Sequence, residues 1–293
     1  MPKALSELVA GQSLLLVGCG KMGSALLQGW LGAGLSPTQF YVQEPNPDAA
    51  LQDLGVHLNP DDAALEAAAP SIIILAIKPQ LAVETLPSLA VLASDETLVV
   101  SLMAGVPINT MSDLLGSEAS FVRTMPNTPA AIGEGITALY ASGGTQDSQK
   151  QAAEALLAAV GQTVWLDNEK MLDAVTAISG SGPAYVFHLV EALAAAAVNL
   201  GLPQDMAAQL AAQTIVGSAA MLRDAAADPR QLRVNVTSPG GTTEAALDVL
   251  MSYAGLVDLM RRATQAAAIR AGELSKIGEE QDEMIELGAE LDD

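Results

Sequence analysis

A glycine-rich segment near the N-terminus has the spacing that nucleotide phosphates require. Residues 18–23 have the sequence Gly-Cys-Gly-Lys-Met-Gly, which fits the pattern G-x-G-x-x-G. The apolar run Leu14–Val17 before it predicts a buried strand, and residues 24–31 have helical character. Glycines allow the backbone to approach a pyrophosphate closely, and a helix start offers unpaired N–H groups and a positive dipole end. We therefore expect dinucleotide contacts from Gly18, Gly20, Lys21, Met22 and Gly23.

The choice of dinucleotide should be made just after the second predicted strand, Phe40–Gln43. Glu44 stands there, and a carboxylate at this place bonds the ribose hydroxyls of NAD and repels the 2′-phosphate of NADP. Asn46, two residues on, could instead bond a phosphate, and no arginine accompanies the two. Glu44 could also be a solvated turn residue, so the sequence leaves NADH and NADPH both open.

A second segment combines hydroxyls and glycines immediately before a predicted helix. Residues 236–243 have the sequence Val-Thr-Ser-Pro-Gly-Gly-Thr-Thr. Successive N–H groups at a helix start, with the hydroxyls of Ser238, Thr242 and Thr243, could bind a carboxylate. An ordinary helix cap with a turn is the alternative. Residues 178–185 form a similar segment, whose glycines we expect to allow close helix packing.

Strong acid–base, nucleophilic and metal-binding patterns are missing from the sequence. The two histidines, His57 and His188, belong to no cluster with ligand spacing, so we expect no metal site. There is no G-x-S-x-G pattern, and Cys19 is interpreted as a loop filler. Lys78, before a proline at a strand end, could touch a cofactor or be solvated. A reaction that depends mainly on positioning a cofactor fits this inventory.

The elements that must position these residues alternate between strand and helix up to about residue 165. This alternation predicts an α/β fold with an open, mostly parallel, doubly wound sheet, whose ligands bind beyond the carboxyl ends of the strands. After Trp165 we predict only helices. The helix over residues 183–200 carries Leu189, Leu193 and Val198 among many alanines, and a second, Ala-rich helix covers 204–224. A helix that is apolar on most sides must be buried, so we expect a helical, dimer-forming second domain. The predicted domains are residues 1–165, 166–277 and an acidic, disordered tail over 278–293.

Composition and net charge indicate which kinds of binding partner and which compartment to expect. The formal net charge is -21, which disfavours nucleic acid and anionic lipid surfaces as partners. Residues 279–293 contain eight acidic residues and no basic one, which is typical of a solvated run. One cysteine excludes an intrachain disulfide and suits a reducing, cytoplasmic compartment. We see no signal-peptide pattern and no apolar run near the roughly 20 residues needed to span a bilayer, so we expect no membrane partner.

Taken together, several segments resemble pyrroline-5-carboxylate reductases over about residues 14–276. The similar segments are residues 18–23, 76–79 (Ala-Ile-Lys-Pro), 125–129 (Met-Pro-Asn-Thr-Pro), 179–185 (Ser-Gly-Ser-Gly-Pro-Ala-Tyr) and 236–243. The resemblance implies an N-terminal Rossmann domain, an all-helical C-terminal dimerisation domain and dimers that often form decamers. It also implies reduction of (S)-1-pyrroline-5-carboxylate to L-proline by NADPH or NADH, the last step of proline biosynthesis.

The resemblance also implies roles for individual positions. Cofactor contacts would come from Gly18, Gly20, Met22, Gly23 and Asn46, with Ala76, Lys78 and Pro79 lining the cofactor and Asn127 near the nicotinamide. Ser238, Gly240 and Gly241 would hold the substrate carboxylate, joined by the neighbouring donor Thr242. Thr243 would donate a hydrogen bond to the ring nitrogen.

Two alternatives stay open. A dehydrogenase of the 3-hydroxyacid type shares fold and cofactor, and would need an acid–base group such as Lys170 on its substrate. A dinucleotide-binding regulator would keep the fold without turnover, although the presence of Ser238 and Thr243 argues against it.

Overall fold

The structure is a computed structural model that describes residues 5–116, 119–224 and 227–289, with the backbone alone over 275–289. The chain forms two compact units, residues 1–180 with 267–293, and residues 181–266. The predicted domain limits at residues 165 and 277 stay predictions.

The first unit is built on an eight-stranded sheet with the order β3-β2-β1-β4-β5-β6-β7-β8. All neighbouring strands are parallel except β6 and β7, which are antiparallel. The fold class predicted from the sequence, a doubly wound and mostly parallel sheet followed by helices, is thus confirmed. The strands are β1 (Leu14–Val17), β2 (Phe40–Gln43), β3 (His57–Leu58), β4 (Ile72–Leu75), β5 (Leu98–Ser101), β6 (Ser120–Met125), β7 (Gly135–Ala141) and β8 (Gly161–Trp165).

Helices cover both faces of this sheet. The α-helices of the first unit are α1 (Leu5–Leu8), α2 (Lys21–Gly32), α3 (Ala49–Gln52), α4 (Asp62–Ala68), α5 (Ala82–Thr85), α6 (Ile108–Leu115), α7 (Asp147–Ala158) and α8 (Met171–Val175). A π-helix, Thr176–Gly180, follows α8, and short 3-10 helices include Pro79–Leu81 and Thr128–Ile132.

The central strands are apolar without alternation because both of their faces are buried. Leu14 and Leu16 of β1 pack in a cluster with α2 and α7, whereas Leu15 and Val17 pack in a second cluster on the other face. In the first cluster Trp30 stacks on Phe40 with ring centroids 5.5 Å apart. These two layers fix the register of the strands, since a slip of one residue would exchange the faces.

The second unit is helical. Its elements are α9 (Gly182–Asn199), α10 (Gln204–Met221), α11 (Pro229–Asn235), α12 (Thr242–Leu250) and the first part of α13 (Leu256–Ala289). Pro183 lies in the first turn of α9, where the missing N–H costs nothing. The acidic stretch 278–293 continues the backbone of α13 as far as Ala289, and its side chains and last four residues lie outside the described part. The expected disordered tail therefore stays a prediction.

Helix α9 leaves large apolar side chains exposed, among them Val186, Phe187, Leu189 and Val198. The segment Met171–Asn199 is by length and composition apolar enough to cross a membrane, since 18 consecutive residues within it have a mean hydropathy of 1.3. This corrects our expectation that no stretch comes near that length. A single such helix is weak evidence for a membrane.

A buried ion pair joins the sheet to the segment before α8. Arg123 on β6 has a side chain only 5% exposed and donates from Nη1 to Glu169 Oε1 at 2.9 Å. The same oxygen accepts the backbone N–H of Ile108, at the start of α6, also at 2.9 Å. One carboxylate thus ties three elements together, and it compensates a guanidinium that water hardly reaches.

Removal of Glu169 tests this anchor. Glu169→Ala leaves the Arg123 charge buried without its partner, so we expect a loss of about 3 kcal/mol in the free energy of unfolding. Lys150→Ala is the matched control, because it breaks an exposed pair with Asp147 at 3.9 Å and should cost less than about 0.5 kcal/mol. Urea denaturation at fixed protein concentration measures both. Equal losses would show that the buried pair has no special role.

Candidate functional site

The first part of the candidate site lies at the carboxyl edge of the sheet. Val17, the last residue of β1, is paired with Gln43 at the end of β2 and with Leu75 at the end of β4. The segments that begin at Gly18, Glu44 and Ala76 therefore leave the sheet side by side. The strand order reverses at β1, which is where ligands bind in open sheets of this kind.

The three glycines of the loop after β1 differ in what a side chain at each position would meet. Gly18 has a φ of +86°, and a Cβ there would lie 2.9 Å from the carbonyl oxygen of Ala76. Gly23, in α2, would place a Cβ 2.5 Å from the carbonyl oxygen of Gly18. A Cβ on Gly20 would meet no protein atom within 4 Å. Gly18 and Gly23 thus serve the fold, whereas Gly20 keeps open space beside the start of α2.

That open space has the character of a phosphate site. Gly20 is the N-cap residue of α2 and provides no side-chain cap for the first turn. The first N–H groups of a helix have no partner within the helix, and the helix dipole makes this end positive. The pyrophosphate of a dinucleotide fits both properties, so the residues present suit the predicted cofactor.

Glu44 spans the gap between the glycine loop and the turn after β2. Its Oε2 accepts the backbone N–H of Cys19 at 2.8 Å, and its Oε1 accepts that of Asn46 at 3.0 Å. The side chain is half-buried and bound to the backbone at both oxygens, so it is not simply a solvated turn residue. A carboxylate in this position can still accept hydroxyl donors through its remaining lone pairs.

Burial and two nearby carboxylates control the chemistry of Cys19. Burial, followed by the charges of Glu44 and Asp48, raises the pKa of the Cys19 thiol to about 11. The thiolate is the nucleophilic form of cysteine, and it is scarce at neutral pH when the pKa is this high. The structure therefore supports the interpretation of Cys19 as a loop filler.

Two cavities flank the glycine loop and share Gly20, Glu44 and Asn46 in their walls. The first has a volume of about 700 Å³ and the second of about 580 Å³. Predicted residues in the wall of the first are Gly18, Gly20, Glu44, Asn46, Ala76 and Lys78, and those in the wall of the second are Gly20, Lys21, Met22, Glu44 and Asn46. Pro79 follows Lys78 directly and begins the 3-10 helix Pro79–Leu81.

Asn127 reaches the same edge from the end of β6. It precedes the 3-10 helix Thr128–Ile132, which packs on α2, and its Oδ1 accepts the N–H of Ile136 at 2.9 Å. The neighbouring Thr128 and Ala131 line the second cavity. The structure thus brings the loop of Asn127 to the glycine loop, although the two are about a hundred residues apart in sequence.

The hydroxyl-rich segment of the second unit forms a turn at the start of α12. Gly240 has a φ of +71°, and the N–H of Gly241 donates to the carbonyl oxygen of Ser238 at 3.0 Å. The N–H of Gly240 donates to Oε2 of Glu244 at 2.6 Å. Both glycine N–H groups are therefore used within the protein, and their predicted contacts with a substrate carboxylate stay predictions.

The donors that remain well placed in this segment come from its hydroxyl residues. Thr242 and Thr243 occupy the first turn of α12, where backbone N–H groups have no partner within the helix. Ser238 and Thr242 are exposed, and Thr243 is half-buried. A bound carboxylate would find hydroxyl donors and two backbone N–H groups here.

The candidate acid–base residue and the candidate metal ligands do not form a site within the described part of the chain. Lys170, the group that a 3-hydroxyacid dehydrogenase would need, is exposed and lines neither cavity beside the glycine loop. Across the described residues, no group of three or more His, Cys, Asp and Glu side chains is placed to hold a metal ion.

Two residues were not indicated by the sequence, one beside the glycine loop and one at the start of α12. Asn59, at the end of β3, bonds the backbone of Glu44 and lines the first cavity. Glu244 bonds the N–H of Gly240. An asparagine before a proline at a strand end, and a glutamate in a first helical turn, are the signals that could have indicated them.

Comparison with known proteins gives the family. Residues 169–274 match the family model described as pyrroline-5-carboxylate reductase dimerisation, and residues 13–105 match one described as NADP oxidoreductase, coenzyme F420-dependent. A pyrroline-5-carboxylate reductase of Pseudomonas aeruginosa is 37% identical over 265 residues, which cover 90% of this chain and 97% of the relative. That of Methanosarcina acetivorans is 38% identical, with 90% and 97% covered. This chain belongs to the pyrroline-5-carboxylate reductase family.

Solved structures of pyrroline-5-carboxylate reductases share the fold over nearly their whole length. The enzyme of Coxiella burnetii is 36% identical with a TM-score of 0.83, covering 90% of this chain and 98% of that one. The Plasmodium falciparum enzyme, solved with NADP bound, is 29% identical with a TM-score of 0.77 and the same coverage. The family resemblance inferred from the sequence is therefore confirmed.

The different roles of two loop glycines can be separated by mutation. Gly20→Ala should fold normally but bind NAD(P)H at least about tenfold more weakly, because its methyl group enters the space that the pyrophosphate needs. Gly18→Ala should instead lower the melting temperature, since alanine is strained at a φ of +86° and its Cβ would press on Ala76 and Ile77, just after β4. Thermal unfolding and nucleotide titration of both variants measure this. A normal affinity in Gly20→Ala would contradict the assignment.

The raised pKa of Cys19 predicts a slow and pH-dependent alkylation. A shift from 9.0 to about 11 makes the thiolate roughly a hundredfold rarer below pH 9. Iodoacetamide should therefore react far more slowly than with a free cysteine at pH 8, and its rate should still be rising at pH 9.5. Glu44→Gln removes one cause of the shift and should speed the reaction. Mass spectrometry measures the rate, and a plateau below pH 9 would rule out the raised pKa.

Proposed function

We propose that this chain reduces (S)-1-pyrroline-5-carboxylate to L-proline with NADPH or NADH, the last step of proline biosynthesis. The observation that carries the proposal is its 37% identity over 97% of a pyrroline-5-carboxylate reductase. The glycine loop with open space at Gly20, and the hydroxyl-rich start of α12, are the features that such a reaction needs. The relatives named above are pyrroline-5-carboxylate reductases and lend no support to a dehydrogenase of the 3-hydroxyacid type.

The demands of this reaction on side chains are modest. The bound nicotinamide supplies the hydride. The substrate is a cyclic imine that water can protonate, so the protein needs no strong acid of its own, and its task is to orient the ring and hold one carboxylate. The absence of an acid–base pair from the sequence fits this chemistry.

The residue roles that we propose come from the sequence patterns and from the family resemblance. Gly18, Gly20, Lys21, Met22, Gly23, Asn46, Ala76, Lys78, Pro79 and Asn127 hold or line the cofactor, and Glu44 meets its ribose. Ser238, Gly240, Gly241 and Thr242 hold the substrate carboxylate. Thr243 donates a hydrogen bond to the ring nitrogen.

The assembly is a homo-oligomer built on a homodimer. Exposed apolar side chains on α9 need cover, and this helix falls within the range that matches the dimerisation model. Further assembly into a decamer is an extension that the family resemblance suggests. We place the protein in the cytoplasm, without nucleic-acid or membrane partners, on the grounds of its single cysteine and its charge of -21.

A direct assay tests the activity. Purified protein is mixed with pyrroline-5-carboxylate and either NADPH or NADH, and nucleotide absorbance and proline are followed together. We expect oxidation of at least one nucleotide with proline formed in equal amount. A folded protein that binds nucleotide without oxidising it would be a sensor and not a reductase.

The role of Thr243 can be tested in the same assay. Thr243→Ala should lower kcat by roughly ten- to a thousandfold, because an oriented donor at the ring nitrogen is lost. Thr243→Ser keeps a hydroxyl and should retain most of the activity, and nucleotide affinity should be unchanged in both. Unaltered kinetics in Thr243→Ala would remove this residue from the mechanism.

A further inference from the structure

Asn59 has an unusual backbone conformation at the end of β3. Its φ is +46°, in the left-handed region that asparagine tolerates better than most residues. Its N–H donates to the carbonyl oxygen of Val42 at 2.7 Å, which adds one more bond to the pairing of β3 with β2. The chain then turns away at Pro60, so the backbone offers β2 no further partner from this side.

The side chain of Asn59 continues the ladder where the backbone stops. Its Oδ1 accepts the N–H of Glu44 at 2.8 Å, and its Nδ2 donates to the carbonyl oxygen of Glu44 at 3.0 Å. An amide side chain has the same donor and acceptor as a peptide unit. Asn59 thus acts as one additional strand residue, and it holds both the N–H and the C=O group of Glu44.

The carboxylate of Glu44 is held as firmly as its backbone. Its two oxygens accept the N–H groups of Cys19 and Asn46 at 2.8 Å and 3.0 Å. Glu44, Asn46 and Asn59 all line the first cavity, together with Gly20. A negative charge therefore stands at a defined place beside the phosphate-binding loop, and four hydrogen bonds to Glu44 keep it there.

We propose that Asn59 is a positioning residue for cofactor choice, which holds Glu44 where it favours NADH over NADPH. This proposal rests on the proposed function only in that the cofactor is a nicotinamide dinucleotide. A carboxylate at this place accepts the 2′-hydroxyl of NADH and repels the 2′-phosphate of NADPH. A glutamate free to turn into solvent would repel much less. By fixing the peptide of Glu44, Asn59 keeps its carboxylate within reach of the N–H groups of Cys19 and Asn46.

Other charged side chains also line the two cavities beside Glu44. Lys78 lines the first cavity and Lys21 the second, and both would attract a phosphate. Asp48 lines the second cavity and adds to the repulsion. The walls thus hold charges of both signs, and the balance follows the position of Glu44.

The experiment measures Kd for NADPH and for NADH by titration, without substrate, in four variants and the wild type. The wild type should bind NADH more tightly. Glu44→Ser should lower the ratio of Kd for NADPH to Kd for NADH about tenfold, by removing the repulsion. Asn59→Gly accepts the left-handed conformation but lacks the amide, and should lower the ratio about threefold or more.

The double variant Glu44→Ser with Asn59→Gly gives the coupling. If Asn59 acts through the carboxylate, Asn59→Gly should change the ratio by less than about 1.5-fold once Glu44 is gone. Gln39→Ala is the matched control, since Gln39 Nε2 also bridges backbone carbonyls, those of Val9 and Gln12, at the opposite end of β2. It should leave the ratio unchanged whatever it does to the melting temperature.

Three results would overturn the proposal. These are a wild type that binds NADPH more tightly, an Asn59→Gly variant with the wild-type ratio, and an undiminished effect of Asn59→Gly in the Glu44→Ser background. Because binding is measured without substrate, failure of the reductase assay would leave this test intact, and the two ideas fail separately.

Discussion

The parallel register of β2, β1 and β4 is the constraint on which the candidate cofactor site depends. Strands β1 and β4 are buried on both faces and β2 more on one than on the other, so a slip of one residue would exchange their packing partners. Their last residues Gln43, Val17 and Leu75 are level with one another. Everything that follows them in sequence must then leave from one edge. Gly18 can turn there because it has no Cβ to press on Ala76, and α2 starts where Gly20 keeps space open.

The electrostatics of this edge combine two opposite demands. The start of α2 is positive and suits a pyrophosphate, whereas Glu44 and Asp48 bring negative charge within a few residues of it. Hydrogen bonds hold the Glu44 carboxylate in place within this positive environment. Its oxygens accept the backbone N–H groups of Cys19 and Asn46, and Asn59 bonds its peptide. The same charges, with burial, keep Cys19 in its thiol form, so the loop carries no reactive nucleophile beside the cofactor site.

The helical unit differs from the sheet in the apolar side chains that it leaves exposed. Its helix α9 is rich in apolar residues and, in the single chain, leaves Phe187, Leu189 and other large side chains exposed. A monomer with such a surface would be costly in water, which is why the match of residues 169–274 to a dimerisation model is physically consistent. At the start of α12 the unit also has hydroxyl donors, whereas the N–H groups of Gly240 and Gly241 already donate hydrogen bonds to Glu244 and Ser238.

Features that rest on local pattern could be predicted before the fold was known. The continuous apolar run Leu14–Val17 predicted β1, the glycine spacing predicted the phosphate loop, and the position of Glu44 after β2 predicted its place at the cofactor edge. Strand β8 was missed, because Gln162 and Thr163 interrupt its apolar pattern, and the antiparallel pairing of β7 has no local signature. Contacts between distant residues, such as Arg123 with Glu169 and Asn59 with Glu44, are visible only in the folded chain. Such pairs depend on which strand ends the sheet places side by side, and no local pattern in a single sequence indicates that pairing.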